Sequence, residues 1–141
     1  MVEKTRRNNF FAAAAILSAM TLLIHIFVGG PETIDPLFAS GEIPEQAIFT
    51  LYYVWHLASI LIGFLVIGFA LVWRNPSNYQ LAGGLTGIAI AAAVWDLFMV
   101  SIFSLSPITY GQWILFAAIA GCALLGVKTT RKMFHGTKEA V

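Results

Sequence analysis

Four long apolar blocks constrain the fold of this chain more than any other feature. They lie at about residues 10–29, 48–73, 81–104 and 112–127. A helix needs about 20 mostly apolar residues to cross the roughly 30 Å of hydrocarbon in a bilayer. Only 11% of the 141 residues are charged, whereas a soluble domain carries about 25% charged residues. The sequence therefore predicts an all-α membrane protein, a four-transmembrane-helix bundle that forms a single domain over 1–141.

The basic residues predict how these helices are oriented. All eight Lys and Arg side chains lie in the N-terminal segment, in the short connection after the second block or in the tail 128–141. The predicted external loop 30–47 holds four acidic residues and no basic one. Because Lys and Arg are enriched in cytoplasmic loops, we expect both termini and the tail to be cytoplasmic. The expected location is a bacterial inner (cytoplasmic) membrane.

Three ionisable side chains, His25, His56 and Asp96, interrupt the apolar blocks. Such groups are expensive at membrane depth and mark functional sites. At about 1.5 Å of rise per residue, His56 and Asp96 each lie about 12 Å below the outer ends of their helices, and His25 lies about 6 Å below its own. We therefore expect one polar pocket in the outer half of the bundle.

Other polar side chains stand near these three at helical spacing or at a helix end. They are Thr21, Tyr52, Tyr53 and Gln112. Thr21 precedes His25 by four residues and therefore shares its helix face. The two tyrosines precede His56 by four and three residues. We expect all four side chains to help bind a ligand.

A metal or haem site is the first hypothesis for this pocket. Neutral imidazole is the commonest ligand of transition metals, and a carboxylate can complete or orient the ligand set. His25, His56 and Asp96 would then bind the metal. Two histidines from neighbouring helices can also hold haem b, although these two differ in depth by about one turn.

Two other hypotheses remain open. The pocket can be a quinone or proton-handling site of a transport or respiratory subunit, with Asp96 and His56 as a coupled pair. It can also be purely structural: His56 hydrogen-bonds Asp96, and the chain is an accessory subunit of a larger membrane complex. Such interhelical bonds are worth about 0.6–2 kcal/mol each.

The sequence argues against several other classes. No nucleophile–base motif or phosphate loop is present, so we do not expect an enzyme of those kinds. The single Cys122 excludes an intrachain disulfide, and the paired cysteines of four-helix disulfide oxidoreductases are absent. The first block lacks the glutamate of small multidrug exporters. The expected partners are the lipid bilayer and either a membrane-protein partner or further copies of the chain, with no nucleic acid.

Overall fold

The computed structural model describes residues 7–41 and 43–136 and is helical through most of them. The helices are α1 (Asn9–Ile24), a π-helical turn (His25–Gly29), α2 (Gly30–Ala39), α3 (Glu45–Arg74), a 3₁₀ turn (Pro76–Asn78), α4 (Tyr79–Ile102) and α5 (Gln112–Gly136). The π-helical turn joins α1 to α2 without a break. The chain thus forms one continuous first span, followed by three long helices.

Four helical spans within the described ranges are long and apolar enough to cross a membrane. They cover Asn9–Ala39, Glu45–Arg74, Pro76–Ile102 and Gln112–Lys132. This confirms the prediction of an all-helical protein with four candidate membrane spans. The helix α3 has 30 residues, which corresponds to about 45 Å of length. It is therefore longer than the roughly 30 Å thickness of the hydrocarbon layer of a bilayer.

The first span and the last helix extend beyond their predicted ends. The first span was expected to end at residue 29, before an external loop over 30–47, but it continues to Ala39. The reason lies in the π-helical turn. The N–H of Gly30 donates to the carbonyl of His25, five residues earlier, and this wider turn makes room for Pro31, whose ring disrupts a regular helix. Likewise α5 continues to Gly136, and residues 137–141 of the predicted tail lie outside the described residues.

The four spans alternate in direction, which gives the bundle two distinct ends. We call the terminal end the one at which α1 begins, α3 turns into α4 and α5 ends. Here the guanidinium of Arg7 lies 5.0 Å from the centre of the Trp73 ring. We call the loop end the opposite one, at which α2 is followed by α3, and α4 leads into α5 through residues 103–111.

The best-packed part of the bundle lies toward the terminal end. Helix α1 packs against α3 and α5, and α4 packs against α5, whereas α3 and α4 touch each other less. The buried core consists of Phe11, Ala14, Leu65, Phe69, Val72, Ala82, Leu85, Ala89, Ile119, Ala120 and Ala123. Many of these side chains are alanines, which let helix backbones approach closely in a membrane. The looser contact between α3 and α4 leaves space for the cavity described below.

Asn8 ties the start of α1 to α5. Its Oδ1 accepts a hydrogen bond from the N–H of Phe10 at 3.0 Å, which caps the helix. Its Nδ2 donates toward the Gly126 carbonyl at 3.0 Å and toward the hydroxyls of Thr129 and Thr130 at 2.8 and 2.9 Å. Asn8 and Thr130 are both buried. The Asn8 side chain therefore caps α1 and also holds the start of α1 against α5, which is distant in sequence.

Gly126 is expected to be intolerant of even a methyl group. A Cβ built at this position would lie 2.6 Å from Cε1 of the buried Phe11. We expect Gly126→Ala to lower the free energy of unfolding by about 1–3 kcal/mol through overpacking. The matched control is Gly121→Ala on the same helix, where a Cβ meets nothing within 4 Å. Thermal unfolding in detergent should show a lower Tm for Gly126→Ala alone; equal Tm values would contradict this packing.

Candidate functional site

A cavity of about 360 Å³ lies among the four spans, on the loop-end side of the core. We call it the main cavity. Its polar lining consists of Thr21, His25, Asp96 and Gln112, and its aromatic lining consists of Trp55, Trp95 and Phe116. Aliphatic side chains of α3 and α4 form most of the remaining wall. The first span, α3, α4 and α5 each contribute at least one of these side chains, so the cavity belongs to the bundle as a whole.

The main cavity opens sideways between α3 and α4. Three of its lining residues are largely uncovered by the protein: Leu61 and Ile88 are each 52% exposed, and Trp95 is 60% exposed. Leu61 belongs to α3 and the other two belong to α4, the pair of neighbouring helices with little mutual contact. In a membrane, this side of the bundle meets lipid rather than water. A ligand can therefore enter the cavity from the bilayer.

His25 is fixed against Trp55 at the wall of the main cavity. The two rings stack with centroids 4.0 Å apart and planes 13° apart. The Nε2 atom of His25 lies 3.3 Å from the carbonyl oxygen of Trp55. Because a carbonyl oxygen only accepts, the neutral ring that makes this bond carries its proton on Nε2 and keeps Nδ1 as an acceptor. The neighbouring Gly29 permits this arrangement, since a Cβ there would lie 3.0 Å from the Trp55 ring.

Asp96 supplies the one acidic side chain among the described residues that line the main cavity. Its Oδ2 atom is buried and has no hydrogen-bonding partner in the part of the chain that the structure describes. A buried polar atom without a partner destabilises a fold by about 1–3 kcal/mol. The Asp96 carboxyl group, which belongs to a residue of the cavity wall, therefore keeps hydrogen-bonding capacity that no described group uses at Oδ2.

Three of the predicted site residues lie outside the main cavity. His56, Tyr52 and Tyr53 are exposed on the outer surface of α3 and do not line the main cavity. The His56 ring meets Tyr52 edge-on, with centroids 4.3 Å apart. The physical reason is the rotation of about 100° between successive helical residues. Because Trp55 lines the cavity, the next residue along the helix turns away from it.

The structure thus brings together four of the seven predicted site residues, Thr21, His25, Asp96 and Gln112. A sequence pattern in α3 distinguishes the residues that face the cavity from those that face outward. The apolar residues Trp55, Ala58, Ile62 and Leu65 recur at helical spacing and line the cavity. His56 is outside that series. Phe116 is a cavity residue that the sequence reasoning did not assign to the pocket.

The metal and haem hypothesis receives no support from this arrangement. Within residues 7–41 and 43–132, no group of three or more His, Cys, Asp and Glu side chains is placed to hold a metal ion. His25 lines the main cavity and His56 does not, so the two do not converge on one haem iron. The hydrogen bond expected between His56 and Asp96 is not found among the described residues either: His56 is exposed on α3 and does not line the cavity that Asp96 lines.

A smaller cavity of about 150 Å³ lies on the loop-end side of Asp96. We call it the loop cavity. It is lined by Asp96, Met99, Val100, Phe103, Leu105, Tyr110 and Gln112. Helix α4 ends here in a tight turn: Ser104 has a positive φ of 53°, and the N–H of Leu105 donates to the carbonyl of Val100 at 2.9 Å. This is the Schellman pattern of a helix end, with a serine in the position that favours glycine.

Comparisons of the chain with protein-family models, with curated proteins and with solved structures find no match. The chemistry of the two cavities is therefore the basis for proposing a ligand. A carboxyl group accepts hydrogen bonds when ionised and donates one when protonated, the amide of Gln112 does both, and a neutral imidazole offers one of each. Aromatic rings beside these groups favour a flat apolar ligand with polar atoms on its rim.

Proposed function

We propose that this is an integral membrane protein that binds a lipid-soluble ligand with a hydrogen-bonding head group, and that a quinone or quinol fits the main cavity best. One observation carries this proposal. Asp96 lines a cavity whose edge carries exposed side chains, and its carboxyl group includes a buried Oδ2 without a described hydrogen-bonding partner. Lipid access and a polar end group are the two properties that a quinone site requires.

The size and lining of the main cavity support a small organic ligand. Pockets for such ligands typically measure about 300–1,000 Å³ and combine apolar walls with a few polar groups. The main cavity has about 360 Å³, which suits a ring rather than a whole lipid. The Trp55 and Trp95 rings and Phe116 provide flat apolar walls. A long isoprenoid tail would leave through the opening between α3 and α4.

The polar groups support both oxidation states of a quinone. A quinone carbonyl accepts hydrogen bonds, which protonated Asp96 and the Gln112 amide donate. A quinol hydroxyl donates, and ionised Asp96 or Nδ1 of His25 accepts. A ligand in the main cavity that reaches the Asp96 carboxyl group would use hydrogen-bonding capacity that the described residues leave unused.

The orientation in the membrane follows from the two ends of the bundle. The described basic side chains lie at the terminal end: Arg7, Arg74, Lys128, Arg131 and Lys132. The acidic side chains Glu32, Asp35 and Glu45 lie at the loop end. By the positive-inside rule, we place the terminal end in the cytoplasm of a bacterium and the main cavity in the outer half of its inner membrane. Lys4, Arg6, Glu42 and Lys138, which the sequence argument also used, lie outside the described residues.

The accessory-subunit alternative predicts that the polar residues bond to one another. The described contacts are divided: His25 bonds across the spans to the Trp55 carbonyl, whereas Asp96 Oδ2 has no such bond, and this unused carboxyl oxygen is our reason for preferring ligand binding. Exposed His56 does not require a partner protein either. It lies 18 residues from Arg74, about 27 Å along the helix, and therefore close to the opposite face of a 30 Å hydrocarbon layer. Tyr52, Tyr53 and His56 fit a water–lipid interface belt.

His25 and His56 provide a matched test of the site. We expect His25→Ala to weaken the binding of a short-chain quinone by about tenfold, because it removes the stacked ring and one hydrogen-bonding group, a loss of roughly 1.4 kcal/mol. His56→Ala should leave the affinity within about twofold, since less than 0.5 kcal/mol is then at stake. Saturable quenching of tryptophan fluorescence in detergent measures both. Equal losses in the two variants, or no saturable binding by the natural chain, would refute the proposal.

A further inference from the structure

Asp96 and Gln112 line both cavities. These two residues therefore form a shared boundary between the main cavity and the loop cavity. We propose that Asp96 is a proton-exchange group that water reaches from the loop end through the loop cavity, while the ligand reaches it from the lipid through the main cavity. The role toward a ligand rests on the function proposed above, whereas the water path stands on the geometry of the loop cavity.

The register of α4 explains why Asp96 lies at this boundary. Ala92 and Trp95 line the main cavity below it. Met99, Val100 and Phe103 line the loop cavity at three, four and seven residues beyond it, which is one face of a helix. The face of α4 that lines the main cavity thus continues into the face that lines the loop cavity, and Asp96 is the polar residue where the two meet.

The loop cavity is open toward the loop end. Phe103 is 63% exposed and Tyr110 is 48% exposed, although both line it. The connection between α4 and α5 is held in place by local hydrogen bonds, including one from Nε1 of Trp113 to the Pro107 carbonyl at 3.0 Å. The opening is therefore formed by a folded loop with defined contacts.

Few other described titratable side chains line the two cavities, so Asp96 is the principal proton-exchange group of this path. Among the described residues that line the two cavities, the other titratable side chains are His25 from the first span and Tyr110 from the α4–α5 loop. Helix α3 contributes Trp55 and aliphatic side chains, and α5 contributes Gln112, none of which titrates. In the exchange, the carboxyl O–H bond breaks and a water at the loop end takes the proton; the reverse step restores the acid.

Cysteine labelling in proteoliposomes tests the water path. In a Cys122→Ser background, we would compare Asp96→Cys with the buried control Ala93→Cys, which lines neither cavity. Ile108→Cys, at an 89% exposed position, marks the loop end, and Ser77→Cys marks the terminal end. The probe is a membrane-impermeant cationic methanethiosulfonate. Because only a thiolate reacts and apolar burial suppresses it, we expect Asp96→Cys to react at least about tenfold faster than Ala93→Cys, and only from the Ile108 side.

Hydroxyl-radical footprinting of the natural chain in nanodiscs makes the test independent of these variants. We expect rapid modification of Met99, which lines the loop cavity, and slow modification of Met20, which is 50% exposed but faces lipid. Slow modification of Met99 together with unreactive or misfolded Asp96→Cys would overturn the water path, even if a quinone binds. A reactive path without any quinone binding would overturn only the proposed function.

Discussion

Asp96→Leu is expected to weaken quinone binding by about 10- to 100-fold without lowering the stability of the protein. A hydrogen bond to a group that can ionise contributes about 1.5–3 kcal/mol, and each 1.4 kcal/mol is a factor of ten in affinity. The leucine side chain cannot make that bond. It has no polar atom, however, so it also removes the buried Oδ2 that the natural chain leaves without a described partner.

Weaker binding together with unchanged stability would identify Asp96 as a residue that binds the ligand rather than one that stabilises the fold. Replacing a buried polar group that has no partner with an apolar side chain of similar size is neutral or stabilising. We therefore expect the Tm of Asp96→Leu in detergent to equal or exceed that of the natural chain. Asp96→Asn is the control, because it keeps the shape and can donate a hydrogen bond but cannot exchange a proton. A lower Tm for Asp96→Leu would show that Asp96 stabilises the bundle instead.

Asn8→Ala is expected to produce a large loss of stability, about 2–4 kcal/mol. The substitution removes a helix cap, worth about 1 kcal/mol, and it also leaves the buried Thr130 hydroxyl without its amide donor, at about 1–3 kcal/mol, whereas the Gly126 carbonyl still accepts from the Thr129 hydroxyl. The bonds that are lost have lengths of 2.9 and 3.0 Å. Thermal unfolding in the same detergent measures the change.

Two control variants divide this loss into its parts. Asn8→Asp keeps an oxygen that can cap α1 but has no amide to donate to α5, so it should be less stable than the natural chain and more stable than Asn8→Ala. Asn9→Ala, at an exposed position, should change the Tm little. If Asn8→Ala and Asn9→Ala have the same Tm, Asn8 does not hold α1 against α5.

The number of candidate spans was predictable from the sequence, while some of their ends were not. Apolar blocks of about 20 residues are a direct signature of membrane-spanning helices, and four such spans are present in the described part of the chain. The first helix was predicted to end at residue 29, before a loop that begins with Gly30 and Pro31. It does not, because the π-helical turn admits the proline. A local signal of this kind does not reveal which of two helical geometries the chain adopts.

Depth along each helix was also easier to predict than direction around it. The rise per residue placed His25, His56 and Asp96 in the same half of the bundle. Direction depends on which helix face meets its neighbours, and one position along the helix turns a side chain by about 100°. His56 therefore differs from Trp55 in facing outward. The loop cavity depends on the turn at Ser104, with its positive φ, and no sequence pattern indicated it.

The most direct test of a quinone in the main cavity uses the positions of the tryptophans. The chain has four: Trp55 lines the cavity, and Trp73 lies at the terminal end beside Arg7. Two variants would each keep one of these and replace the other three tryptophans with phenylalanine. Titration with a short-chain quinone should quench the Trp55-only variant saturably and the Trp73-only variant only by collision, in proportion to concentration. Equal quenching of the two, or no saturable quenching of Trp55, would contradict a quinone site in this cavity.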